Sequence, residues 1–185
     1  MPVVIGAKPQ SSFADPIGLL GDCHRRIERF LSVLARVAAE VRGGPLTEDQ
    51  RNGWNTALRY FREAAPKHTS DEEESLFPRL RGVDGPEAQA LLARVDALEE
   101  QHVFAGEAHG EVDRLGRTWL DDGSLSPEQA RRLSAVLAQL SELYRGHIAM
   151  EDGEVFPFAA AVLSAPERKA IGDEMAARRG LKPTP

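Results

Sequence analysis

The sequence predicts an all-α fold, an up-down-up-down four-helix bundle with a short fifth helix at the carboxyl end. Three observations predict it. Apolar residues recur at three- and four-residue steps through four long stretches, and such steps mark one buried face per helix. Helix start and stop signals bracket each stretch and leave only short turns between them. No stretch shows the strict alternation of a half-buried strand.

Residues 1–14 carry no periodicity and are expected to form a flexible amino-terminal arm. In "DPIGLL", Asp15 can cap a helix and Pro16 can occupy its first turn, where a missing N–H costs nothing. That helix should reach about Arg42, where "GGP" stops it. "TEDQ", from Thr47 to Gln50, is a capping box for the second helix. The second helix should run to about Arg81, with Pro66 and Pro78 as kink points. Pro86 opens the third, which "DDGS" ends near Asp121. "SPEQ", from Ser126 to Gln129, is another capping box and opens the fourth, which should end near Pro157. Residues 15–160 thus form the bundle, and 161–185 a short helix with a tail.

Composition bounds the function. A chain of 185 residues suits one domain with a proper core. Its formal net charge is −6, and its basic residues form no stripe, so no nucleic-acid partner is expected. The single cysteine, Cys23, fits a reducing cytoplasm and is read as a small buried residue. No run approaches the roughly 20 apolar residues of a membrane helix, and the first residues lack a signal-peptide pattern. A cytoplasmic protein without membrane contact is expected.

The apolar stripes carry unexpected polar groups. His24 sits in the first stripe between Leu20 and Ile27, and His68 and Glu72 sit in the second between Ala65 and Leu76. His102 and His109 fall in the third stripe, and Tyr144, His147 and Glu151 in the fourth. The segments "HTSDEEESLFP" and "HIAMEDGEVFP" repeat one pattern, with Glu four residues after His and a closing Phe-Pro. Nearly equal intervals separate His24 from His68 and His102 from His147. The chain therefore reads as a duplicated helical hairpin, each half giving a lone His and a His-x-x-x-Glu pair.

Residues four apart on a helix differ by about 40° in direction and about 6 Å in rise, so each His-Glu pair can reach one point. Four imidazoles and two carboxylates would then meet on the bundle axis. Buried carboxylates without partners cost several kcal/mol each, and no Lys or Arg stands beside them on the stripes. Metal ions are the simplest missing partner, and mixed His and carboxylate donors suit iron, manganese or zinc. If Glu72 and Glu151 bridge two metals, each metal receives two imidazoles and two carboxylate oxygens. An oxo or hydroxo bridge would leave about one open position per metal in an octahedron.

These residues resemble the hemerythrin-like proteins with an HHE cation-binding domain, over roughly residues 16–160. The resemblance rests on His24 in "DCHRRI", His68 and Glu72, His102 in "EEQH", and His147 and Glu151 with their Phe-Pro endings. It implies a four-helix bundle holding a non-haem di-iron centre, ligated by His24, His68, Glu72, His102, His147 and Glu151. Oxygen-carrying members place a second His four residues after the one on the third helix, where this chain has Gly106. The four-His, two-Glu pattern that remains is similar to the di-iron proteins of iron–sulfur cluster repair.

Three functions follow as expectations. The first is a binder or sensor of O2, NO or reactive oxygen species in oxidative or nitrosative stress. The second is an enzyme that reduces peroxide or NO, or an iron donor in cluster repair. The third is an iron-holding protein without turnover. No nucleotide loop or nucleophile triad is visible, so the binder ranks first and catalytic residues stay unassigned.

A lone His on an apolar stripe is more often a satisfied core residue, and the recurrence of the set favours metal. His109 lies about 10 Å along the axis from His102. It is read as core or as lying one layer behind the ligands, and Tyr144 likewise. Tyr60 and Met150 are read as filler. Asp71, Glu73, Glu74, Asp152 and Glu154 are expected mostly on the solvated surface, with Glu28 a reserve ligand.

Overall fold

The computed structural model describes residues 11–182. Among these the chain is helical throughout, with no strand. Helix α1 spans Pro16–Val41 and forms the first leg of the bundle. The second leg is segmented into α2 (Glu48–Glu63), α3 (Ala65–Asp71), a π-helical turn (Glu72–Leu76) and α4 (Phe77–Arg81). Helix α5 (Pro86–Asp122) is the third leg. The fourth contains α6 (Pro127–Met150), a second π-helical turn (Glu151–Val155) and α7 (Phe156–Val162). Helix α8 (Ala165–Arg178) follows. Helix α1 packs on α2 and α6, and α5 packs on the same two, so four sequential legs close into a ring.

The ends are set as the sequence chemistry requires. The Asp15 side chain accepts from the Gly18 N–H, and both expected capping boxes, at Thr47 and Ser126, are formed. A third box at Ser164 opens α8. Two elements differ from the sequence reading. The second leg breaks at Ala64, because Pro66 enters a new helix in its first turn. The fourth leg continues past Pro157 to Val162, because the π-helical turn lets this proline also begin a fresh segment.

The expected flexible arm, residues 1–14, lies outside the described residues up to residue 10. Beyond that, the Ser11 N–H donates to buried Asp22, and the Phe13 carbonyl lies where a side chain at Gly172 would begin. Glycine is thus required on α8 for the chain to cross it this closely. The last residues of the expected tail, 183–185, also lie outside the described residues. Among the described residues no helix is long and apolar enough to cross a membrane.

The apolar interior is divided. One cluster gathers Ile27, Leu34, Trp54, Phe61, Val112, Trp119 and Leu140. The other gathers Leu20, Leu76, Phe77, Leu80, Val95, Leu98, Val155 and Phe156. Every leg crosses from one cluster to the other, and every crossing is made at a histidine. A polar layer thus separates two packed cores, with both Phe-Pro motifs on the side that α8 covers.

Candidate metal centre

The two hairpins deliver their donors to this layer. His24 on α1, His68 on α3 and His147 on α6 are buried, as are Glu72 and Glu151, which begin the two π-helical turns. His102 on α5 is nearly so, its side chain 7% exposed. In each π-helical turn the Phe N–H reaches back five residues to the carbonyl of the Glu, Phe77 to Glu72 and Phe156 to Glu151. One extra residue in the turn lets Glu72, Leu76 and Phe77 all face inward. Wide turns of this kind are rare and cluster at functional sites.

Two donor groups result. His24, His68, Glu72 and Glu151 offer ligand atoms all within 4.8 Å of one another, and so do Glu72, His102, His147 and Glu151. Both groups contain both carboxylates. His24 Nε2 lies 3.0 Å from a Glu151 oxygen, and His147 Nε2 lies 3.1 Å from the same atom. His68 Nε2 and His102 Nε2 each lie 3.4 Å from a Glu72 oxygen. These approaches lack hydrogen-bond alignment for Glu72 and Glu151, whose four oxygens have no hydrogen-bond partner in the protein.

The outer ring nitrogens show what orients the imidazoles. His24 Nδ1 donates to Asp152 at 2.8 Å, and His102 Nδ1 donates to Glu73 at 2.9 Å. Each acid directly follows the buried Glu of the opposite hairpin. His147 Nδ1 donates to the Gln101 side-chain oxygen at 2.9 Å. The packing is reciprocal too, since Phe156 stacks on His24 and Phe77 on His102. With Nδ1 protonated, the Nε2 lone pairs of His102 and His147 point into the layer 3.1 Å apart. Two lone pairs at that distance repel unless a cation lies between them.

The electrostatics agree. Burial pushes the Glu72 carboxyl far above its usual range, and the Glu151 charge adds to this. Burial also works to raise Glu151, but the His147 and His24 imidazoles outweigh it and hold Glu151 well below the usual range. Burial opposes charge on His24, yet Asp152 and Glu151 lift its pKa to about 10. His68 is held well below its ordinary value by burial, with His24 adding to the effect. The cluster satisfies itself poorly, and cations would satisfy it. The donor set therefore fits a metal pair.

The structure brings together all six side chains singled out in the sequence. His109 and Tyr144 stand beside the layer without joining either donor group, the Tyr144 ring lying 6.2 Å from that of His147. His109 Nε2 lies 3.0 Å from the Tyr144 hydroxyl, and its ring stacks on Phe61. Tyr60 donates to the Cys23 carbonyl, Met150 packs against the second core cluster, and Glu28 is exposed. Burial raises the Cys23 thiol to about 11.

Of the acids expected on the surface, Asp152 and Glu73 are solvent-accessible yet each bonds an imidazole, and Asp71 is not on the surface at all. Asp152 and Glu73 hold imidazoles across the hairpin boundary, a long-range pairing that local spacing does not reveal. Asp71 is fully buried and is paired by Arg178 at 2.9 Å and Arg179 at 2.7 Å. Those arginines end α8, and Arg178 also donates to the Ser75 hydroxyl. Helix α8 thereby braces the first hairpin just before Glu72.

The fold and donor cluster define a cation-binding four-helix bundle. Comparison with known proteins agrees, since residues 15–159 match the model of the hemerythrin HHE cation-binding domain. An uncharacterized protein of Haemophilus influenzae is 30% identical over 173 residues, covering 93% of this chain and 94% of that protein. The chain belongs to the hemerythrin HHE cation-binding family.

Proposed function

We propose that the protein is a non-haem di-iron protein that binds or senses a small ligand, O2, NO or a reactive oxygen species. One observation carries this reading: two donor groups, each with two imidazoles, share both buried carboxylates. His24 and His68 would hold one iron, and His102 and His147 the other. Glu72 and Glu151 would be common to both. Iron ions bound there would supply open coordination positions and one-electron redox chemistry.

The chain's own residues do the rest. Asp152, Glu73 and Gln101 fix the tautomer of three imidazoles and aim their Nε2 atoms inward. Phe77 and Phe156 close the layer against the second core and keep water from that side. A second reading, an enzyme that reduces peroxide or NO, is favoured by the His109–Tyr144 pair. Burial keeps the Tyr144 phenol protonated, so Tyr144 Oη holds a proton beside the centre.

The test is metal analysis with an absorption spectrum of protein purified in air. The expected result is two irons per chain with near-ultraviolet and visible charge-transfer bands. Stoichiometric zinc without iron would overturn both readings. Rapid consumption of peroxide or NO by iron-loaded protein would favour the enzyme over the binder.

A further inference from the structure

A cavity of about 370 Å³ opens beside the donor layer, between α2 and α3 on one side and α5 on the other. His68, His102 and His147 form its inner wall. Ile27, Leu58, Phe61, Ala65 and Val112 supply apolar walls, and Gly106 and Gly110 line it from α5. A diatomic ligand does not need this space, since one water occupies only ~30 Å³ of liquid. The volume instead falls within the roughly 300–1,000 Å³ of pockets for small organic ligands.

The opening has a cause in the sequence. A Cβ placed on Gly106 or on Gly110 would meet nothing within 4 Å. Both glycines are exposed at the mouth of the cavity, where a larger side chain has room to stand. At the rim, Arg62 is engaged by Asp113 at 2.9 Å and does not reach inward as a free cation. The lining is therefore mostly apolar, broken by the paired His109 and Tyr144, and most polar at its inner end.

We propose that this cavity binds a small organic anion, an apolar body carrying one oxygen-donor head, with the head at the metal centre. The proposal rests on the metal centre inferred above. Charge fixes the head: two divalent cations exceed the two carboxylates common to the donor groups, and the imidazoles are neutral donors. Asp152 and Glu73, behind the rings, are 44% and 36% exposed and so are screened by water. An anionic oxygen would offset part of the excess, while Phe61, Leu58 and Ile27 take the apolar body out of water. Gly106 sets the size limit.

The experiment uses the full chain loaded with iron, and the Gly106→Leu variant loaded likewise. Calorimetry measures binding of azide, acetate and benzoate to each. Leucine is a better helix former than glycine at this position, so the variant should melt no lower than wild type. Gly110→Leu serves as a second plug at the same face. Benzoate should bind wild type more tightly than acetate, and either plug should weaken benzoate at least about tenfold while leaving azide nearly unchanged.

Equal binding of acetate and benzoate overturns the apolar site. So does unaltered benzoate affinity in both variants. Azide binding without benzoate binding overturns the organic-anion proposal and leaves the small-ligand reading standing. Failure of all three anions to bind iron-loaded protein overturns both.

Discussion

Replacing Glu72 by Gln should stabilise the metal-free protein and abolish most of its stabilisation by metal. Glu72 is fully buried, and neither of its oxygens has a hydrogen-bond partner. Burial and Glu151 together press its carboxyl toward the neutral form. Glutamine keeps the shape, cannot ionise and offers N–H groups to Glu151 and the imidazoles. A buried polar group left without a hydrogen-bond partner costs about 1–3 kcal/mol, and the amide N–H groups would relieve part of that cost. For a domain of this length each kcal/mol moves the melting temperature by about 2–4 °C, so the metal-free variant should melt several degrees higher. Wild type should overtake it once metal is added, because binding at a thousand times Kd contributes about 4 kcal/mol. Thermal melts of both proteins with chelator and with excess ferrous iron make the comparison. A metal-free variant that melts below wild type, or one that keeps the full metal-dependent gain, would refute the reasoning.

Two further outcomes follow from the same geometry. Asp152→Ala and Glu73→Ala each remove the acceptor of one imidazole, His24 and His102 respectively, and should lower metal affinity about 10–100-fold. Competition with a chromogenic chelator reads this, and unchanged affinity in both variants contradicts the orienting role. His109 is lowered by burial to about 4, and the titratable side chain it touches is Tyr144. A histidine held neutral binds fewer protons than the unfolded chain, so the stability it contributes falls as pH drops from about 6.5 toward 4, by up to about 3 kcal/mol. His109→Phe should escape that loss. Urea denaturation at pH 7 and pH 4.5 should show the stability difference shifting toward the variant, and a pH-independent difference would contradict it.

Much of this was legible in the sequence because helical periodicity is local. His24, His68, Glu72, His102, His147 and Glu151 stand in apolar stripes, and the doubled His-x-x-x-Glu segment ties them into one set. The turn chemistry at Thr47 and Ser126 likewise acts over three residues and is formed as expected. What escaped is either long-range or a compromise. Asp152 serves His24 from the far end of the chain, and its exposure hides that role in any hydropathy pattern. Buried Asp71 depends on α8, which no stripe announces. The π-helical turns alter the helical step within a few residues, so a uniform period places the donors correctly and misses the widened turn that follows. The cavity has Gly106 and Gly110 in its wall, and a periodicity argument counts side chains rather than gaps.

The donor layer lies between two packed cores, which hold the spacing of its donors from both sides. Close-packed interiors compress and expand little, so parting the legs for a larger guest would cost packing in both cores. Calcium prefers six to eight oxygens at about 2.3–2.6 Å in a yielding shell. Here nitrogen outnumbers carboxylate, and the carriers of both are anchored above and below the layer. A cation that wants many oxygens in a yielding shell would meet the opposite here, so the fold itself would weigh against it before any difference in cellular supply.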